Sequence, residues 1–189
     1  MVKKIQDSEP LRTKEQIEMV RMLLNETREG LRNRIIFDIG INNGLRTGDI
    51  LKLKTNDVRN TAQLQIREGK TGKKRVIMFN SDLQKEIAEY IDHRKTQSEW
   101  LFPNPTNPKE HITTQAVYRL FKRVAKGHKD LNGLTAHSMR RTFGYWYYKQ
   151  THDIATLMTI FNHSSQSITL RYIGMTDDSV NHALQSFKL

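Results

Sequence analysis

The chain contains no cysteine, which removes disulfides, thiolate zinc sites and cysteine nucleophiles at once. That absence fits a reducing cytoplasm, the compartment expected for this protein. No apolar run is long enough to span a bilayer, and Met1–Pro10 carries no charged-then-apolar leader, so no membrane partner is expected. Proline is scarce, at four residues in 189, and three of the four, Pro103, Pro105 and Pro108, mark one exposed loop. No His-Glu-x-x-His and no clustered carboxylate pair is present to hold a metal, so neither a metal nor a small-molecule cofactor is expected. Negative charge is in short supply too: 20 acidic residues face 31 lysines and arginines, for a formal charge of +11. Such an excess is the electrostatic footprint of a protein that binds a phosphate polymer.

What is present suffices for one folded domain. Hydrophobic residues make up 37% of the chain, and a chain of this size buries most of the surface its unfolded form exposes. Thr13 reads as an N-cap with Gln16 at the capping-box position, and Ile17, Val20, Leu23 and Leu24 follow at helical spacing. Gly30 is expected to break that helix. Leu31–Ile41 makes a second one, ending near Asn42, Asn43 and Gly44, and a short helix over Thr47–Leu53 follows. Leu64 and Ile66, then Val76–Phe79, flank the turn-rich stretch Glu68-Gly69-Lys70-Thr71-Gly72, which predicts an antiparallel hairpin or a three-stranded sheet. Helices are expected from Ser81, as cap, to about Arg94, from Thr113 to about Gly127, and over Thr135–Lys149, Asp153–Phe161, Ser165–Tyr172 and Asp177–Phe187. The fold class is α+β, mainly α-helical with a small antiparallel sheet.

Phosphodiester cleavage needs cationic donors around the non-bridging oxygens, a nucleophile in line with the leaving oxygen, and an acid to protonate that oxygen. Residues for each role are present, and each also has a plainer reading. His137 and Arg140 stand three apart on a predicted helix, so both side chains leave one face; a solvated basic helix would show the same pattern. Arg46 opens a short helix, where anions are already favoured, or is a surface arginine, with Asp49 either holding it or capping the helix. Lys70 sits at the hairpin tip beside Lys73, Lys74 and Arg75, as a proton donor to a leaving 5′ oxygen or as part of an ordinary charged turn. Tyr172 ends a helix nine positions beyond His163. A free phenol titrates near about 10 and needs cations to become a nucleophile; Arg46, Arg140 and Arg171 are the available ones. Seen in isolation, Tyr172 reads better as a half-buried tyrosine at a helix end.

Taken in order, four segments resemble the catalytic domain of the tyrosine recombinases, the phage-type integrase family. They are Gly44-Leu45-Arg46-Thr47-Gly48-Asp49-Ile50-Leu51, Gly69-Lys70-Thr71, His137-Ser138-Met139-Arg140-Arg141-Thr142-Phe143, and Asn162-His163-Ser164-Ser165 leading to Arg171-Tyr172. The resemblance runs from about Thr13 to Phe187. It implies that Arg46, His137, Arg140 and His163 grip the scissile phosphate of double-stranded DNA, that Lys70 is the general acid, and that Tyr172 forms a 3′-phosphotyrosine link. A free 5′ hydroxyl of a second strand then attacks that link, without ATP or metal. Asn162 stands where the family usually has glycine, and Met139 and Arg141 where leucine and histidine are frequent. The resemblance further implies a catalytic domain over 13–189, with 1–12 left from an interdomain linker and the family's N-terminal DNA-clamping domain absent. In the family the last helix docks on a neighbouring protomer within a tetramer on DNA, and Val180, Ala183, Leu184 and Phe187 have the spacing for it; packing on the chain's own core is the other reading.

Three other functions fit parts of the pattern. A DNA-binding regulator without chemistry accounts for the charge but not for the ordered Arg, Lys, His, Arg, His, Tyr set. A type IB topoisomerase shares the tyrosine chemistry but reseals the same strand. A metal-dependent nuclease would have to use His137, His163 and Asp153.

Overall fold

The structure, a computed structural model, describes residues 8–175. Helix α1 (Lys14–Asn25) begins with the expected capping box: Thr13 Oγ1 accepts from Gln16 N–H, and the Gln16 carboxamide returns to the Thr13 N–H. Its end differs from expectation. The helix stops at Asn25, and Gly30 is the first residue of α2 (Gly30–Asn43) rather than the breaker of α1. A Cβ at position 30 would stand 2.3 Å from the Asn25 carbonyl oxygen, so the tight reversal between the helices demands glycine.

Helix α2 is the centre of the domain. Ile35, Ile36, Phe37 and Ile39 have no exposed surface, and α1, α5 (Ser81–His93) and α7 (Ser138–Thr151) all pack on it. Each such side chain contributes about 2 kcal/mol when buried. Exposed ion pairs such as Lys54–Glu99 and Arg59–Asp92 contribute about 0–1 kcal/mol, so the apolar centre and not the charged surface holds the frame. The cap of α5 is Asn80, whose side chain accepts from Leu83 N–H, one residue earlier than the expected Ser81.

Short helices α3 (Thr47–Leu51) and α4 (Thr55–Val58) follow α2, where a single helix to Leu53 was expected. Strands β1 (Gln63–Arg67) and β2 (Lys74–Met78) then pair antiparallel, Gln63 opposite Met78 through Arg67 opposite Lys74. Among the described residues the sheet has these two strands, not three. In place of a third, the Asn43 carboxamide donates to Met78 O at 3.0 Å and accepts from Met78 N–H at 2.8 Å. The hairpin is thereby docked onto the C-terminal end of α2.

Helix α6 (Thr114–Ala125) is capped by Thr113 and leads to a 3-10 turn, Lys129–Leu131. Helix α7 starts at Ser138 rather than Thr135 because side chains take over the backbone groups ahead of it. Ser138 Oγ accepts from Thr135 N–H at 3.0 Å, and Thr135 Oγ1 from His137 N–H at 3.2 Å, an alternative to helical bonding that these residue types offer. Helices α8 (Ile154–Phe161) and α9 (Gln166–Tyr172) complete the described chain. They close a second apolar cluster of Leu157, Phe161 and Ile173 against Phe143 and Tyr147 of α7. Residues 8–12 lie along α7: Leu11 is buried, its N–H donates to Thr142 Oγ1 at 2.9 Å, and its carbonyl accepts from Trp146 Nε1 at 3.0 Å. The expected helix Asp177–Phe187 lies outside the described residues. No helix among the described residues is long and apolar enough to cross a membrane.

Candidate active site

Two close helix contacts bring the site together. Gly44 ends α2 in the left-handed conformation, φ +58°, and a Cβ there would meet the Phe143 ring at 2.3 Å. Gly40 faces Met139, whose sulfur would lie 2.7 Å from an added Cβ; the flexible thioether is what fills this crossing of α2 and α7. With α2 and α7 in contact, Arg46, the N-cap of α3, and Arg140, on the first turn of α7, reach the same place.

They meet at Glu68. Arg46 Nη1 donates to Glu68 Oε2 at 2.6 Å, and Arg140 Nη1 lies 3.9 Å from Glu68 Oε1. A third guanidinium, Arg75, is 3.5 Å from Oε1 and donates to the Asn43 carbonyl. Arg140 is nearly sequestered, its side chain 5% exposed. Its nitrogens donate to the carbonyls of Gly44, Ile160 and Phe161, and its plane lies over the Phe161 ring at 4.5 Å. Burial pushes Arg140 down to about 10, with Tyr172 and Glu68 opposing that and Arg46 and Arg75 adding to it, so it stays charged at neutral pH. Burial alone would raise the Glu68 carboxyl. The hydrogen bonds from Arg46 and Thr71, with the charges of Arg46 and Arg140, outweigh it and hold Glu68 below its ordinary value.

Tyr172 and His163 share the other side of this cradle. Their rings pack edge to face at 5.2 Å, and both rest on Phe161. Burial pushes the Tyr172 phenol above its ordinary value, while Arg140, Arg141 and Arg46 pull the other way. The phenol is therefore neutral at rest, and to act as a nucleophile it would have to pass its proton to an acceptor. His163 Nδ1 is 3.1 Å from Thr169 Oγ1, and Thr169 Oγ1 donates its single proton to Ser165 O at 3.1 Å. Nδ1 must then be the donor, which leaves the lone pair of the neutral imidazole on Nε2. Burial, Arg140 and Arg46 hold His163 below its ordinary value.

The other expected site residues stand differently. His137 is the N-cap of α7 and exposed; burial of part of its ring, with Arg141 and Arg140, lowers its pKa. Lys70 is exposed in the hairpin turn and makes no hydrogen bond or ion pair among the described residues. Asp49 neither holds Arg46 nor caps α3: its Oδ1 accepts from Gly69 N–H at 2.8 Å. Arg171 is exposed at the end of α9, and the cation over the Tyr172 ring is instead Arg141, at 5.2 Å. Asn162 occupies the usual glycine position because its φ is +56° at the end of α8, a conformation that asparagine tolerates better than most residues. Asp153 caps α8, accepting from Thr156 N–H at 2.9 Å. Among the described residues no three His, Asp or Glu side chains gather as a metal site would.

Glu68 and Arg75 were not expected at the site, since both lie in a stretch that reads as a charged turn. The one signal was strand periodicity: Leu64 and Ile66 point inward along β1, and Glu68 is the next residue in that register.

The sequence model described as the phage integrase family matches residues 12–178. The chain belongs to the phage integrase family, the tyrosine recombinases. A probable integrase/recombinase, YoeC of Bacillus subtilis, is 41% identical over 180 residues, covering 95% of this chain and 96% of that one. Tyrosine recombinase XerA of Pyrococcus horikoshii is 31% identical over 163 residues, 85% of this chain but 56% of the relative. This tyrosine recombinase chain thus spans nearly all of the first relative and little more than half of the second. A crystal structure of XerA recombinase superposes with a TM-score of 0.73 at 17% identity, over 100% of this chain and 68% of that one. A lambda integrase dimer bound to a core site superposes with a TM-score of 0.65 at 19% identity, over 90% and 60%. Site-specific recombination by a DNA breaking and rejoining enzyme is accordingly the function of this family member.

Proposed function

We propose that Tyr172 attacks a DNA phosphate held by Arg46, Arg140, His137 and His163, and that Lys70 protonates the oxygen that leaves. Tyr172 Oη forms a bond to phosphorus as the bond from phosphorus to the 5′ oxygen breaks. The phenolic proton passes to an acceptor with a lone pair, which both neutral imidazoles offer, and the Lys70 ammonium gives a proton to the 5′ oxygen. Attack by the 5′ hydroxyl of another strand reverses these steps and frees the phenol. One phosphodiester is exchanged for another, so no ATP is consumed, and guanidinium charge serves where other enzymes use a metal.

The observation that carries this reading is the clustering of two guanidiniums, an imidazole and a phenol, drawn from the N-cap of α3, from α7, from α9 and from the loop between α8 and α9. The arginines present planar forks suited to phosphate oxygens. Relatives solved on DNA, XerH on its difH substrate and lambda integrase on a core site, support duplex DNA as partner; the absence of cysteine fits a cytoplasmic setting. In the same reading residues 13–189 form the catalytic unit, and the segment 177–187, outside the described residues, couples protomers in a tetramer on DNA.

The test is capture of the covalent adduct. The chain is incubated in EDTA, without ATP, with a library of nicked duplexes of randomised sequence, and protein-linked DNA is isolated, sequenced and mapped by mass spectrometry. The phosphopeptide is expected at Tyr172, and Tyr172→Phe should keep DNA affinity while giving no adduct. Adduct formation by the Phe variant, or none from the parent chain, refutes the reading.

A further inference from the structure

Lys70 is itself unpartnered among the described residues, yet both of its neighbours are held. Gly69 N–H donates to Asp49 Oδ1 at 2.8 Å, and Thr71 Oγ1 donates to Glu68 Oε2 at 3.0 Å. That same Glu68 oxygen accepts from Arg46 Nη1 at 2.6 Å. A carboxylate oxygen has lone pairs for two donors, so a single atom joins the guanidinium of the phosphate cradle to the hydroxyl beside the general acid.

We propose that Glu68 and Thr71 are a positioning pair for the cleavage reaction: Glu68, anchored on Arg46, holds Thr71 and so sets the Lys70 ammonium at the leaving oxygen. The proposal rests on the assignment of Lys70 as the acid. Three observations carry it. Glu68 is 3% exposed, although a charge in a surface turn could stay in water at no cost, and taking it out of water is expensive without partners. The turn is already closed by its backbone, with Gly72 N–H to Glu68 O at 2.8 Å and Glu68 N–H to Lys73 O at 2.9 Å. The bond between Thr71 and Glu68 is therefore not needed to form the turn, and its effect is to fix where the tip stands relative to Arg46. Finally, Lys73 Nζ donates to Asn162 Oδ1, so the side of the turn after Thr71 is tied to the residue preceding His163.

Proton transfer tolerates little displacement, since a shift of about 1 Å in a reacting group can cost about 100-fold. A leaving group that needs no proton is immune to that loss. The experiment compares the mapped duplex with one carrying sulfur in place of the 5′ bridging oxygen, because a thiolate departs unprotonated where an alkoxide does not. Thr71→Val removes the bond to Glu68 and the longer one, 3.4 Å, accepted from Lys73 N–H; it should cleave the ordinary duplex about tenfold more slowly, and the sulfur duplex within about twofold of the parent. Thr71→Ser, which keeps the hydroxyl, should match the parent on both. Glu68→Gln should lose about 100-fold on the ordinary duplex and regain only about tenfold on sulfur, since it also loosens Arg46.

Lys70→Ala is the control and should recover on sulfur. If it does not, the assignment of Lys70 as acid falls and takes the positioning role with it. If Lys70→Ala recovers while Thr71→Val is equally slow on both duplexes, or is not slow at all, the positioning role alone is overturned. A Thr71→Ser variant as slow as Thr71→Val overturns it too.

Discussion

Gly144 lies where α7 packs on α8 and α9, and replacing it tests whether the apolar cluster beneath Tyr172 sets the reach of the proposed nucleophile. An added Cβ would stand 2.6 Å from Ile173 Cγ2 and 2.7 Å from two carbons of the Phe161 ring. Ordinary carbon contacts begin near about 3.5 Å, so α8 and α9 must retreat by roughly 0.9 Å at the side chain next to Tyr172. Alanine favours a helix over glycine by about 1 kcal/mol, while overpacking a core costs about 1–3 kcal/mol. Steric cost wins, for a net loss of about 1 kcal/mol or a little more and a fall in Tm of about 2–4 °C per kcal/mol at this chain length. The catalytic effect is larger, because a displacement near 1 Å costs about 100-fold in rate. Gly144→Ala is thus expected to form covalent adduct on a nicked duplex about 100-fold more slowly. Its DNA affinity, measured by fluorescence anisotropy, should change less than about threefold, since the basic surface supplies most of the binding. An alanine variant that cleaves at the parental rate, or that loses affinity in step with cleavage, would refute the argument.

Other perturbations act at different places. Arg140→Lys keeps a positive charge, but one ammonium cannot serve the carbonyls of Gly44, Ile160 and Phe161 together; a drop of about 2–4 kcal/mol in urea unfolding and a cleavage loss above about 100-fold are expected. Lysine cleaving normally would remove Arg140 from the cradle. His163 and His137 are both held below their ordinary values, and their neutral forms are the ones with a lone pair, so adduct formation should be level from pH 7 to 8 and decline only below the usual imidazole range. A decline that begins above pH 7 contradicts that. Burial raises Asp38 to about 6 despite its pair with Arg21. The folded state then binds a proton that the unfolded state releases, so stability falls as pH climbs from about 4 to 6. Above that window Asp38→Asn should be more stable than the parent by up to about 3 kcal/mol, and equal or lower stability at pH 7 would show that the pair with Arg21 outweighs the burial.

Local rules were sufficient for much of this protein. Thr13 with Gln16, Thr113, Asp153 and Ser165 cap helices through bonds between residues three apart, and such bonds are written in the order of the chain. The hairpin register follows from alternation in β1 and β2. The order of Arg46, Lys70, His137, Arg140, His163 and Tyr172 was legible for the same reason, since each sits in a short motif. Gly30, Asn80 and the late start of α7 depart from those rules because a steric contact or a competing side-chain bond moves a boundary by a few residues.

What the linear order could not reveal is which charges end up facing one another. Glu68 and Arg75 look like members of a solvated turn, and Arg141 like one more base on a basic helix. Their partners lie as far as 72 positions away, as Glu68 is from Arg140; the close approach of α2 and α7 at Gly40 and Gly44 brings that pair within reach, and the packing of α7 beside α9 sets Arg141 over Tyr172. Coulombic and hydrogen-bond energies depend on distance and burial rather than on separation along the chain. For that reason the arginine cradle, its internal carboxylate and the raised phenol of Tyr172 belong to the packed molecule.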